Sequence, residues 1–169
     1  MAGGSKRLPR AVREQQMLDA AVGVFAAKGF HETSMDAIAV AAAISKPMLY
    51  LYYGSKDELF AACIQRESGR FLESVSAVGD PRLSPREQVH TALVSFLDYV
   101  DTHRDSWSVV VRTASGQPAF AKQVDSARER LIDMVAHLLE LGTRTPVPGS
   151  NFHIMAVALI GAGEAVADR

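Results

Sequence analysis

The chain has 169 residues, enough for one compact domain or a small domain joined to a larger one, and its 48% hydrophobic against 22% charged residues argue for a folded core. A formal net charge of −1 excludes coating of nucleic acid by bulk charge, so any nucleic-acid contact must rest on local charge. The single cysteine, Cys63, excludes an internal disulfide and reads as a buried structural thiol in a reducing compartment; no apolar run spans a membrane and no secretory stretch opens the chain, so a cytoplasmic protein is expected.

Residues 1–11 form a basic arm. Lys6, Arg7, Arg10 and Arg13 precede Glu14 with no acid among them, a pattern that suits phosphates or a minor groove and equally suits a solubilising tail. The first helix is expected over residues 12–28, with Met17, Ala21, Val24 and Phe25 as its apolar stripe and Gly29 closing it. A short helix follows, capped by Thr33 or Ser34, with Asp36 in its first turn and Ile38, Ala39 and Ala42 on its apolar side. The chain turns at Ala43-Ile44. Ser45 is placed to cap Lys46-Pro47-Met48-Leu49-Tyr50-Leu51-Tyr52-Tyr53, where Pro falls in the first turn and its missing N–H costs little. Two short helices about a tight turn make a helix-turn-helix, the unit that lays its second helix in the DNA major groove.

Ser55 and Glu58 read as a capping box for a helix over residues 56–78, with Gly69 expected to mark a local weakness. Gly79-Asp80-Pro81 breaks it. Ser84-Pro85-Arg86-Glu87 starts the next helix, whose buried face carries Val89, Leu93, Phe96, Leu97 and Val100. A short helix around residues 106–113 holds Trp107 and the run Val109-Val110-Val111. After Gly116-Gln117-Pro118 a long helix spans residues 119–141, with Val124, Leu131, Met134, Val135, Leu138 and Leu139 directed inward. Residues 142–150 form a loop. The last helix, residues 151–168, is nearly free of charge until Glu164. Apolar almost all round, it must be buried on several sides, against a second subunit or against the chain's own core.

Phe25, Lys28-Gly29-Phe30, Thr33-Ser34, Ile38-Ala39, Ser45-Lys46, Leu49-Tyr50, Ser55-Lys56 and Leu59 together resemble the tetracycline-repressor (TetR) family of bacterial regulators. The resemblance covers residues 12–60, roughly a third of the chain, and its order and spacing are specific; beyond them it extends only to helical character and length. It implies an all-α fold with a helix-turn-helix DNA-binding domain over residues 12–58. A helical ligand-binding and dimerisation domain would occupy residues 59–169. It implies sugar-phosphate contacts from Ser34, Ser45, Tyr50, Tyr52 and Lys56, whose hydroxyls, phenols and amine all donate to phosphate oxygens. Lys46 reaches a guanine edge, and Pro47, Met48 and Leu51 offer apolar contact to thymine methyls. Tyr50, Tyr52 and Tyr53 cannot all face one way, so Tyr53 is expected in the core with Leu49; Lys56 has the alternative of a solvated first-turn lysine. The family usually has Gly where this chain has Ala43, so a positive φ there would strain the turn.

The resemblance further implies a dimer on a palindromic operator, most readily a repressor, released by a small apolar or amphipathic effector such as a drug or a lipid-like metabolite. Pocket candidates are Phe71, Phe96, Val100, His103, Trp107, Val111, Phe120, Met134 and Leu138, which are equally suited to plain core. Dimer-interface candidates are Phe152, Met155, Ala156, Leu159, Ile160 and Gly163. The family often carries one more helix beyond this point, so part of the dimer bundle is expected to be absent. The five histidines are scattered, without the i, i+4 spacing of a helical zinc site. No metal, cofactor or catalytic residue is expected. Asp98, Asp101 and His103 are read as a solvated helix face rather than a catalytic cluster, since every nucleophile-elbow, phosphate-loop and metalloprotease motif is missing. The competing reading is a helical protein-interaction module that no longer reads DNA.

Overall fold

The computed structural model describes residues 9–76, 82–142 and 151–167. Its elements in order are α1 (Arg10–Glu32), α2 (Met35–Ala41), α3 (Lys46–Tyr52), α4 (Lys56–Ser76), α5 (Pro85–Thr102), α6 (Arg104–Trp107), a π-helical turn (Ser108–Thr113), α7 (Pro118–Gly142) and α8 (Phe152–Ala167). The described residues contain no strand. The expected arm is only partly in view, because residues 1–8 lie outside the described residues; so does nearly all of the expected 142–150 loop.

Local chemistry sets the first half. Gly29 takes φ +75 inside α1 and kinks it, after which one further turn runs on to Glu32; only glycine holds that conformation at no steric cost. Thr33, buried, donates its hydroxyl to the Gly29 carbonyl at 2.7 Å. Ser34, rather than Thr33, caps α2: its Oγ accepts the Ala37 amide at 3.2 Å. The turn between α2 and α3 places Ala43 at φ +52, the left-handed conformation that a Cβ resists. Ser45 occupies the N-cap position of α3 with extended backbone, but its hydroxyl makes no capping bond. At the head of α4, Ser55 Oγ accepts the Glu58 amide at 3.1 Å, and the Glu58 carboxylate accepts from Gly54 N at 3.1 Å. The reciprocal bond thus reaches one residue further back than in a strict capping box. The Ser84–Glu87 box forms in full. The valine run expected as ordinary helix instead continues α6 as a π-helical turn.

One core packs the helix-turn-helix. Met17 and Phe25 of α1, Ile38 of α2, Leu49 of α3, and Leu59, Phe60, Cys63 and Ile64 of α4 are fully buried together. Burial pushes the Cys63 thiol up to about 12, as befits a packed structural cysteine. The same core takes in Val109 and Ala114 from around the π-helical turn and Phe120 from α7, so packing does not break at residue 58. Phe25 and Phe60 meet edge to face at 4.7 Å, and Phe60 and Phe120 at 4.9 Å. Phe120 is therefore a keystone of this core and not a pocket residue.

Lys56 is also committed inward. Its ammonium donates to the carbonyls of Phe30 at 2.8 Å, Thr33 at 3.0 Å and His31 at 3.3 Å, and it lies 4.5 Å from the centre of the Phe30 ring. Expected as a phosphate contact, it instead ties the head of α4 to the carbonyl-rich end of α1.

In the second half, Val75, Leu131, Ile132, Ala156 and Ile160 form a second core between α4, α7 and α8. Met134, expected in a pocket, packs on this core. Three interface expectations are corrected here. Ala156 and Ile160 are buried in the chain's own core, and a Cβ on Gly163 would come within 2.9 Å of Phe96 Cε1. Gly163 serves close approach of α8 to Phe96 of α5. The outer side of α8 leaves Ile154, Met155, Val157, Leu159 and Val166 exposed.

Two stability measurements follow from these contacts. Ala43→Gly relieves the left-handed turn and is expected to add about 1 kcal/mol, raising Tm by roughly 2–4 °C in a thermal melt. Lys56→Met keeps the apolar stem but strips three carbonyls of their donor; the urea midpoint should fall by the equivalent of about 1–2 kcal/mol with an unchanged slope.

Candidate nucleic-acid interface and internal cavity

The α3 surface is presented by a buried anchor at Leu49 and by the half-buried Tyr53, whose phenol is pushed up to about 12, chiefly by burial. Around that anchor Ser45, Lys46, Pro47 and Tyr50 are exposed, Leu51 is 81% exposed, and Met48 and Tyr52 are half-buried. Ser34 is exposed on α2, with its hydroxyl engaged in the cap. Lys46 Nζ bonds Asp36 Oδ2 at 3.0 Å, and that hydrogen bond, with the carboxylate's charge second, raises the ammonium's pKa. Both groups are well exposed, so the pair holds Lys46 in place only loosely. Two arginines from the start of α1 lean on the same helix. Arg13 Nη1 lies 3.1 Å from Met48 Sδ, and the Arg10 guanidinium sits 5.3 Å from the centre of the Tyr52 ring. The surface therefore gathers hydroxyls, phenols and cations on one small face despite the chain's negative balance. Lys56 is not among them.

Between α4, α5, α6, the π-helical turn, α7 and α8 lies a cavity of about 220 Å³. Of the residues expected to line it, Phe71, Phe96, Trp107 and Val111 do. The others do not. Val100 is buried behind the wall with Phe96 and Trp107. His103 stacks on the outside of Tyr99, ring centres 4.3 Å apart, and faces a polar surface groove with Asp19 and Arg66. Leu138 lines a smaller apolar cavity of about 90 Å³ with Val75, Leu93 and Leu159.

Sequence reasoning missed the polar part of the main cavity: Glu67 and Ser68 from α4, Tyr99 from α5, Asp125 and Arg128 from α7, and Glu164 from α8. Glu67 is only 1% exposed, and its Oε1 accepts from Arg66 Nε at 2.6 Å and Nη2 at 2.5 Å. Arg66 Nη1 then reaches Asp19 Oδ1 at 2.7 Å and Gln15 Oε1 at 3.2 Å, both on α1. Arg128 grips Glu164 through two parallel bonds of 3.1 and 3.2 Å. A signal existed for Glu67 and Ser68: they interrupt the apolar stripe Phe60, Ile64, Phe71, Val75 at positions where a helix of this kind buries carbon.

Residues 17–63 match the family described as bacterial regulatory proteins, tetR family, and residues 85–169 match the tetracyclin repressor-like C-terminal domain. A TetR-like transcriptional regulator from Rhodococcus sp. RHA1 is 65% identical, with a TM-score of 0.84 over 96% of this chain and 86% of that one. The HTH-type transcriptional activator FasR of Mycolicibacterium smegmatis is 33% identical over 82% of this chain. The match spans 65% of FasR, just under two thirds of its length. The regulator FadR from Bacillus subtilis, solved in complex with stearoyl-CoA, shares the fold at a TM-score of 0.79 and 15% identity, over 90% of this chain and 84% of that one. With both parts matched by family models, the chain belongs to the TetR family, a family of transcriptional regulators rather than of enzymes.

Proposed function

We propose that the chain works as a homodimer on a palindromic operator, as a repressor by default, and that a small apolar or amphipathic effector in the main cavity sets its DNA affinity. The observation that carries this reading is shared structure. α4 gives Phe60, Cys63 and Ile64 to the core of the reader and, one to two turns on, Glu67, Ser68 and Phe71 to the cavity. The π-helical turn does the same, with Val109 in the reader core and Val110 and Val111 on the cavity. A molecule that changes the cavity wall moves elements on which the reader is built.

On DNA, Ser34, Ser45, Tyr50 and Tyr52 position the phosphates, with Arg10 and Arg13 adding charge beside them. Lys46 leaves its exposed pair with Asp36 for a guanine edge, and Pro47, Met48 and Leu51 meet thymine methyls. Two recognition helices one DNA turn apart, about 34–36 Å, require a dimer. The exposed apolar side of α8, with Met155 and Leu159 at its centre, supplies the surface. A fatty-acyl or other lipid-like effector fits the mostly apolar wall and is the class carried by the FadR complex. The FasR relative supports a second reading, activation, in which the same binding event recruits transcription; a reporter downstream of the operator distinguishes the two by sign.

The full chain titrated against DNA from upstream of its own gene should bind far more tightly than to scrambled DNA, with affinity falling steeply as salt rises. Lys46→Ala should weaken operator binding by roughly tenfold or more and narrow the preference over scrambled DNA. Binding that ignores salt and Lys46→Ala would favour a protein-interaction module instead. Asp19→Asn removes the ion pair from Arg66 to α1, leaving only its bonds to Gln15, and changes no residue of the cavity wall or of α3. It should keep operator affinity, yet shrink the loss of affinity caused by an acyl-CoA series by about fivefold.

A further inference from the structure

Four buried polar atoms have no hydrogen-bond partner among the described residues: Glu67 Oε2, Ser68 Oγ, Tyr99 OH and Trp107 Nε1. All four residues line the main cavity. They belong to one wall, built by α4, α5 and α6 around Phe71, whose ring centre is 5.3 Å from that of Tyr99 and 5.9 Å from that of Trp107. Native proteins carry few such atoms, and four gathered on one cavity wall ask for a partner inside it.

Their chemistry defines the partner. The Trp107 indole N–H only donates, the second oxygen of Glu67 only accepts, and the Ser68 and Tyr99 hydroxyls do either. A group that satisfies the wall therefore both accepts and donates. Charge narrows it further. Glu67 is neutralised by Arg66, with Arg70 Nη1 3.7 Å from the same oxygen, and both arginines spend their other donors outward on Asp19 and Gln15. Arg128 is held in its paired bonds with Glu164. A carboxylate or phosphate against this wall would face Glu67 Oε2 with no cation of its own, and an ammonium would leave the indole donor unmet.

We propose that this wall is the head-group site of the effector cavity, and that it selects an uncharged donor–acceptor group, a hydroxyl or an amide, on an apolar body. The inference rests on the effector reading above and deepens it. Phe96, Val110, Leu131 and Ile160 supply the apolar remainder. The cavity, of about 220 Å³, has room for a medium-length alkyl body.

The test is calorimetric titration and thermal shift of the full chain with five probes of matched size: n-octanol, octanamide, octanoate, octylamine and octyl fluoride. The alcohol and the amide should bind at least roughly tenfold more tightly than the other three. Tyr99→Phe should weaken octanol by roughly three- to tenfold and leave octyl fluoride unchanged, and Trp107→Phe, which also enlarges the cavity, should lower the preference for octanol over octyl fluoride by a similar factor. Glu67→Gln should narrow the gap between octanol and octanoate; where that variant does not fold, Tyr99→Phe, which removes a single hydroxyl, carries the test. Octanoate binding as tightly as octanol overturns the head-group assignment and leaves the effector cavity standing. Octyl fluoride equal to octanol does the same, because the wall is then served by ordered water alone. Failure of all five probes overturns the cavity as an effector site, and this inference with it.

Discussion

The contact among Phe25, Phe30, Phe60 and Phe120 sets the terms for the rest of the molecule. Phe30 lies 5.0 Å from Phe60 and 5.5 Å from Phe120, so rings from α1, α4 and α7 close on one another. Phe25 and Phe60 are completely buried, and a ring so placed contributes about 1.5–3 kcal/mol by burial alone. A DNA-reading unit of this length buries too small a share of its surface to be robust by itself. Here it completes its core with Phe120, Val109 and Ala114 from the other half of the chain. Stability of the reader and position of the second half are thereby linked.

α4 carries that link along its length. At its first residue Lys56 holds three carbonyls at the end of α1. Two to three turns on, Arg66 bridges to Asp19 and Gln15 on α1, and the adjacent Glu67 faces the cavity. An event at Glu67 is thus one residue and one ion pair away from the helix that supports α3. Coupling between distant sites is a difference in contact energy between two arrangements, and this short chain of charged contacts is where such a difference has the least distance to travel.

Most of what was legible in the sequence was local. A cap at Thr33 or Ser34, Gly29 as a breaker, the Ser84–Glu87 box and a turn strained if Ala43 needs a positive φ depend on a few neighbouring residues; the structure has the cap at Ser34, the break at Gly29, the full box and φ +52 at Ala43. What depended on partners far along the chain was not legible. Lys56 reads as a phosphate contact, or else a solvated first-turn lysine, because nothing in its own segment shows that Phe30, His31 and Thr33 turn their carbonyls toward it. Ala156, Ile160 and Gly163 were indistinguishable from Met155 and Leu159 on a helix apolar all round, where periodicity marks no face. Phe120 and Phe96 look alike in sequence, yet one fills the reader core and the other lines the cavity. Glu67 and Tyr99 were passed over because pocket residues were sought by apolar bulk, while the features that single this cavity out are polar.

The central claim is that reader and second half share one core. Native-state hydrogen exchange on the full chain tests it directly, by comparing the opening free energies of buried amides in α1 with those at the start of α7. A shared core predicts one cooperative opening, with the amides around Phe25 and those around Phe120 released together. Exchange through α1, α2 and α3 at distinctly lower free energy, with the Phe120 region still protected, would contradict it and make the reader a separate unit.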